Sequence, residues 1–237
     1  MDYEQIRDII ANCRKRTPVR AYVRHDGELP VDPDDDVKVF PTGGGTTILI
    51  GDWERVERVL ASAKDRIHYS HLENDRRNSA VPLLDLKTLE ARIEPGAVIR
   101  EGARIGERVI VMMGAVINIG AVVGAGTMVD MNVVVGARAI VGKDCHIGAG
   151  AVLAGVLEPP SATPVIIEDG VLIGANAVVL EGCRIGKGSV IAAGAVVTED
   201  IPPGVVAAGM PARVVKRVDE RTKDRTELLK ELRRLND

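Results

Sequence analysis

An imidazole and a carboxylate stand out among the residues that could do chemistry. His146 is the single histidine after residue 90, and Asp130, in the run TMVDMN, stands where comparable segments often carry glycine. An imidazole near neutral pH can take a proton from an amine. A carboxylate can hold that amine while it is still an ammonium. Zinc hydration chemistry would need three grouped histidines, but His25, His68 and His71 all lie in the first third of the chain. Cys13, Cys145 and Cys183 show neither metal-ligand spacing nor a disulfide framework.

A repeat positions these residues. From Ile93 to Leu153 an aliphatic side chain returns at every sixth position, and after the segment AGVLEPPSATPVI the series resumes at Ile167 and runs to Val197. Four residues after each aliphatic stands a small or short residue, among them Ala115, Ala139, Cys145, Ala177 and Cys183. Glycine often follows the aliphatic directly. Six residues make one short strand and one corner, and three such units close a triangular coil of 18 residues. The β-branched side chains then point inward. Stacked coils pair in parallel at about 4.8 Å, and each buried aliphatic contributes roughly 1.5–3 kcal/mol. Asp130 falls at a corner, stacked on Gly148. His146 points outward because Ile147 points in, and the two Cα atoms fall roughly 8 Å apart. Cys145 and Cys183 take the inward register and read as core rather than as nucleophiles.

The 237 residues carry a formal net charge of −3, with 46% hydrophobic but only 2% aromatic residues. Tyr3, Tyr22, Phe40, Trp53 and Tyr69 all precede residue 70, so the larger part of the chain packs without aromatics. Interspersed charge and the lack of stacking platforms argue against nucleic acid. No run of 18 apolar residues exists to span a membrane. MDYEQIRDII lacks the positive segment of a signal peptide, and the cysteine usage suits a reducing cytoplasm. The expected organisation is an α/β cap over residues 1–90, a mainly β parallel β-helix over 91–205 with a loop insertion near 154–166, and a C-terminal extension over 206–237. In the cap, Asp2 and Gln5 suit a capping box before a helix bearing Ile6, Ile9, Ile10 and Cys13. VRAYVR and TTILIG read as strands. Asp52 suits the N-cap of a helix with Trp53, Val56, Val59, Leu60, Ala63 and Ile67 on one face. DGELPVDPDDD reads as a loop, and GGG at 43–45 as a turn, since no GK[ST] follows it. The last segment reads as a helix with Leu228, Leu229, Leu232 and Leu235 on one side.

The repeat resembles the hexapeptide repeat of the left-handed parallel β-helix, and its handedness comes from that resemblance. Acyltransferases, zinc hydratases and assembly subunits use this scaffold, and the histidine count disfavours the second. The tail AAGAVVTEDIPPGVVAAGMPARVVKR resembles the acyl-CoA end of hexapeptide acyltransferases. This implies a cofactor role for Ala193, Gly194, Gly209, Pro211, Ala212, Arg213 and Lys216, with small residues admitting the pantetheine arm and cations meeting phosphates.

ENDRRNSAVPLLDL and the long run from MMGAV to VVLEG are similar to the tetrahydrodipicolinate N-acetyltransferase family of lysine and diaminopimelate synthesis. The related succinyltransferases share GTMVD, GVLEP and IIED. The resemblance implies transfer from acetyl-CoA to the α-amine of open-chain tetrahydrodipicolinate, without a metal. It implies Asp130 as a catalytic candidate, beside His146, which its outward place on the coils nominates, and it implies homotrimers with sites between subunits. For the two substrate carboxylates the candidates are Arg76, Arg77, Asn118 and Arg138, with Glu158 on the interrupting loop. The succinyltransferase glutamate falls at Ala177 here, so the base stays open between His146, Asp130, Glu181 and Glu158. Succinyl transfer, sugar-amine acylation and a non-catalytic assembly role remain as alternatives.

Overall fold

A computed structural model describes residues 1–157 and 163–226. The chain divides into two compact units, Ile9–Ala80 and, together, Met1–Asp8 with Val81–Asp237.

The first helix, α1 (Tyr3–Asn12), begins with the expected box. Asp2 Oδ1 accepts from the Gln5 N–H at 2.8 Å, and Gln5 Oε1 from the Asp2 N–H at 3.0 Å. The smaller unit is then built on an antiparallel sheet of β1 (Pro18–His25), β2 (Lys38–Gly43), β3 (Thr46–Asp52) and β4 (Ile67–Glu73), in the order β2-β3-β1-β4. Alternation along β1 buries Val19, Ala21 and Val23 with Leu49 of β3, against Val56 and Val59 of α2 (Trp53–Ser62). The opposite sheet face carries Phe40, Ile48, Tyr22 and His71 in one row across the strands.

Three expectations for this unit need correction. The strands β2 and β4 were not anticipated, because both are almost wholly exposed and show no buried alternation. The helix stops at Ser62 rather than running through Ile67, since a 3-10 turn over Lys64–Arg66 turns the chain and Ile67 pairs with His25 of β1. Asp52 is the N-cap residue, but its side chain makes no capping hydrogen bond. Gly43, Gly44 and Gly45 do form the β2–β3 turn, all with φ between 60° and 85°. The unit closes at Ala80, before the expected boundary at 90, because Pro82, Leu84 and Glu90 already bond to the coils through their backbone.

The larger unit is the repeat made solid. Seventeen two-residue strands, from β5 (Arg92–Ile93) to β21 (Val196–Val197), stack in three parallel sheets. One face comprises β5, β8 (Ile110–Val111), β11 (Met128–Val129), β14 (His146–Ile147), β17 (Leu172–Ile173) and β20 (Val190–Ile191). The second residue of each strand points inward, and Ile117, Ile147, Leu153, Ile173, Ile185 and Ile191 are completely buried. The small register is buried as well, and its polar members are satisfied. Thr127 Oγ1 donates to Gly142 O at 2.8 Å, and Ser189 Oγ to Pro202 O at 2.7 Å. Gly174 shows why glycine follows the aliphatic: a Cβ there would lie 2.4 Å from Ala193 N of the next coil.

After Leu153 the stacking lapses and resumes with Ile166 over Ile140. Beyond β21 the chain forms a hairpin of β22 (Val205–Gly209) and β23 (Ala212–Arg217), then α3 (Glu220–Thr226). This hairpin was not anticipated, and it extends the face containing β14. Leu228, Leu229, Leu232, Leu235 and Glu158 lie outside the described residues.

Candidate active site

The site grows from the corner that follows β11 and β14. Asp130 directly follows β11 and His146 opens β14 on the next coil, so the stacked strands bring the two side chains together. His146 Nε2 lies 3.6 Å from Asp130 Oδ2, with the side chains 29% and 21% exposed. That separation exceeds a hydrogen bond but suits an ion pair once the imidazole takes a proton. The other carboxylate oxygen, Oδ1, accepts from the Met131 N–H at 2.8 Å, which fixes the orientation of the group. Asp130 therefore bonds its own turn and faces His146 at once.

Two columns climb from this pair. Outward along the face, His146 is followed by Leu172, Val190 and Val206. Val206 pairs with Lys216 on β23. Along the corner, Asp130 is followed by Gly148, Gly174, Ala192 and Ala208, and the N–H groups of Asp130, Gly148, Gly174 and Ala192 all bond to the next coil. The neighbouring N–H groups of Ala149, Ala175 and Ala193 donate to no protein acceptor among the described residues. The corner is thus an edge of small residues bearing unused donors. It climbs four coil spacings from Asp130 to Ala208 of the hairpin, about 19 Å.

The structure brings Asp130, His146, Ala193, Gly194 and the hairpin residues Gly209, Pro211, Ala212, Arg213 and Lys216 to one face and corner. The hairpin turns at a cis Met210–Pro211 bond with Gly209 at φ 97°. The two cations are not idle: Lys216 Nζ bonds Asp219 at 2.9 Å, and Arg213 Nη2 lies 3.7 Å from Glu199. Asp219 also accepts from the Thr222 hydroxyl and N–H, and these bonds with Lys216 hold its carboxyl well below the usual range. Sequence reasoning passed over Arg221, which lines a cavity of about 370 Å³ with Lys216, Val206, Thr222 and Thr226. Its only signal was its place in the basic run after the Gly-x-Pro-Ala-Arg motif.

The remaining candidates are elsewhere. Asn118 and Arg138 occupy the next corner, one face of the triangle away from Asp130 in the same chain. Asn118 Oδ1 is taken by the Ile119 N–H at 2.8 Å. Arg138 holds a left-handed φ of 66°, uncommon for a side chain of its size, and its Nη1 is buried without a partner among the described residues. Arg76 and Arg77 belong to the smaller unit, where Arg76 Nε lies 3.2 Å from Asp75. Ala177 is completely buried in the inward register, so that position offers nothing to an outer site. Glu181 is exposed on the corner shared with Arg138. Burial pushes the Cys145 thiol up to about 11 and raises that of Cys183, in keeping with inert core positions. No group of three histidine, cysteine, aspartate or glutamate residues suited to a metal ion occurs among the described residues.

Residues 1–86 match the family described as tetrahydrodipicolinate succinyltransferase N-terminal. Residues 120–155 and 164–199 match the bacterial transferase hexapeptide family. Relatives named 2,3,4,5-tetrahydropyridine-2,6-dicarboxylate N-acetyltransferase match along nearly the whole chain. The one from Halalkalibacterium halodurans is 57% identical, covering 100% of this chain and 98% of its own. That from Caldanaerobacter subterraneus subsp. tengcongensis is 63% identical over 97% and 94%, and that from Listeria ivanovii 60% over 99% of each. With the coils, the corner pair and the terminal hairpin all inside that alignment, the chain belongs to the tetrahydropyridine-2,6-dicarboxylate N-acetyltransferase family of hexapeptide-repeat proteins.

Proposed function

We propose that this protein transfers an acetyl group from acetyl-CoA to the amine of 2,3,4,5-tetrahydropyridine-2,6-dicarboxylate in its open-chain form, giving 2-acetamido-6-oxopimelate for lysine and diaminopimelate synthesis. The observation that carries it is the His146–Asp130 pair at the foot of a small-residue edge that ends in a basic hairpin. Asp130 first holds the ammonium, which releases one proton to solvent; the neutral amine then attacks the thioester carbon, and His146 Nε2 takes its second proton while Asp130 holds the imidazolium. The N–C bond forms, the C–S bond breaks, and the CoA thiolate takes the proton from His146 and leaves along the small-residue edge. The free N–H of Ala149, at the coil of His146, is the donor placed to meet the developing oxyanion. Those of Ala175 and Ala193 suit the amide carbonyls of the pantetheine arm. Lys216, Arg213 and Arg221 suit the phosphates, and Lys216 exchanges Asp219 for them.

Among the described residues, no lysine or arginine pairs with Asp130 to meet the substrate carboxylates within one chain. The second face of the solenoid presents Val98, Val116, Val134 and Val152 outward in one column, with Val98 40% and Val134 37% exposed. Three copies packed through such faces bring the Arg138 corner of one to the pair of another, and this supports a homotrimer. The match described as a succinyltransferase N-terminal region favours a second reading, in which the donor is succinyl-CoA. CoA release from each donor, with and without the dicarboxylate, decides between them. Release with acetyl-CoA only when the dicarboxylate is present is the expected result. Preference for succinyl-CoA overturns the donor, and no release with either overturns the reaction.

A further inference from the structure

The smaller unit contains a cavity of about 210 Å³ that the acetyl-transfer reading does not use. Its charged lining is unbalanced. Arg14, Arg16, Lys38 and Arg55 face it with Asp36 and Asp52, four cations against two carboxylates. Separate elements supply them: the segment entering β1 gives Arg14 and Arg16, β2 gives Lys38, and the first turn of α2 gives Arg55. Gly51 allows the convergence, because a Cβ there would come within 3.1–3.2 Å of Val37 Cγ2 and Asp36 O. Without that Cβ, the strand carrying Asp36 and Lys38 lies close over β3.

Two of the four cations are already engaged: Arg14 donates to Glu54 at 3.4 Å, and Arg55 lies 3.8 Å from Asp35. The side chains of Arg16, Lys38, Asp36 and Asp52 make no ion pair of 4 Å or less among the described residues. Asp52 stands at the N-cap of the ten-residue helix α2, yet its carboxylate caps none of the helix N–H groups. The Trp53 N–H is taken by Thr17 O at 2.9 Å, and the rest of the first turn keeps its positive character beside the cavity. Two unpaired cations, Arg16 and Lys38, a helix start without a side-chain cap and two spare carboxylates in so small a space describe a complement: two negative groups and one positive group on a short skeleton.

We propose that this cavity binds a small amino dicarboxylate, its carboxylates held by Arg16, Lys38 and Arg55 and its ammonium by Asp36 and Asp52. Arginine and lysine match carboxylates by charge-assisted hydrogen bonds, and the paired acids exclude simple dianions, which carry no cation for them. The site lies wholly within the smaller unit and is independent of acetyl transfer.

Trp53, the single tryptophan of the chain, follows Asp52 directly and provides a reporter. The full-length protein is titrated with L-glutamate, L-2-aminoadipate and L-2-aminopimelate while Trp53 emission is followed. Glutarate and inorganic phosphate serve as probes lacking the amine. The expected result is a saturable change with at least one amino dicarboxylate, and at least tenfold weaker binding of glutarate and phosphate. The double variant Arg16→Ala, Lys38→Ala weakens that binding at least tenfold. Both side chains are exposed, and unchanged circular dichroism confirms folding. Asp130→Asn leaves the binding unchanged, which separates this cavity from the solenoid site. No saturable change with any of the three amino dicarboxylates overturns the proposal. Equal binding of phosphate, or full binding by the double variant, does so too.

Discussion

The two units solve the same packing problem with opposite grammars. In the solenoid each coil repeats the last, so a position has one job and every coil does it: inward aliphatic, small partner, corner. In the smaller unit no position recurs. Its core of Val19, Ala21, Val23, Leu49, Val56 and Val59 is assembled once, from two strands and a helix. Its second sheet face leaves Phe40 and Tyr69 49% and 65% exposed. The difference teaches where function becomes visible. Against a strict repeat, a departure such as Asp130 or Arg138 stands out from the sequence alone. In a non-repeating fold, Arg16 and Lys38 look like any surface cations until the chain is folded.

The contrast can be broken at the departures first. His146→Ala should lower kcat about 10²–10⁴-fold, the usual contribution of a general base, while leaving the thermal midpoint nearly unchanged. Asp130→Asn keeps the Met131 turn and should show a smaller loss. A collapse of the midpoint in either variant would mean that the pair is architecture. Next come the repeated positions. Leu153→Ala removes a completely buried side chain and should cost about 2–5 kcal/mol, read by denaturant unfolding. Gly174→Ala should cost about 1–3 kcal/mol, because the obstacle is Ala193 backbone rather than a movable side chain.

The thiols sharpen the comparison through pH. Cys145 is held protonated by burial, up to about 11 against an ordinary 9.0. A raised value in the folded state means stability fully present below pH 9 and lost as pH rises from 9 toward 11. Alkaline unfolding should therefore soften in that window and flatten in Cys145→Ala. A thiol reagent at pH 8 should label the half-buried Cys13 before either solenoid cysteine. The smallest effect belongs to the open sheet: Phe40→Ser should stay within about 0.5 kcal/mol of the parent, as for most exposed positions. A larger loss would show that something covers that face.

What the sequence made legible follows the same line. The inward register, the corner of Asp130 and the outward turn of His146 were all readable, because a period of six fixes direction for every residue in it. The strands β2 and β4 were not, since pairing at an exposed edge leaves no hydrophobic signature. The hairpin was hidden for another reason: its β22 strand looks like one more coil until Gly209 and Pro211 turn it back. Arg221 was hidden by lying outside the repeat, where no neighbouring coil supplies a standard. The engagement of Lys216 by Asp219 is a matter of side-chain reach, which spacing does not record.

That reversal at Gly209 has a consequence for solubility. A stack of parallel coils is an open-ended template, and each terminal coil exposes a row of unsatisfied amides on which another molecule could continue the stack. In β23 the chain runs antiparallel to β22 and ends the face with Arg213, Lys216 and Arg217 along its length. A coil arriving from another molecule would meet the wrong strand direction and three like charges. The hairpin thus acts as a terminator, and a chain cut before it would be expected to grow end to end into fibres.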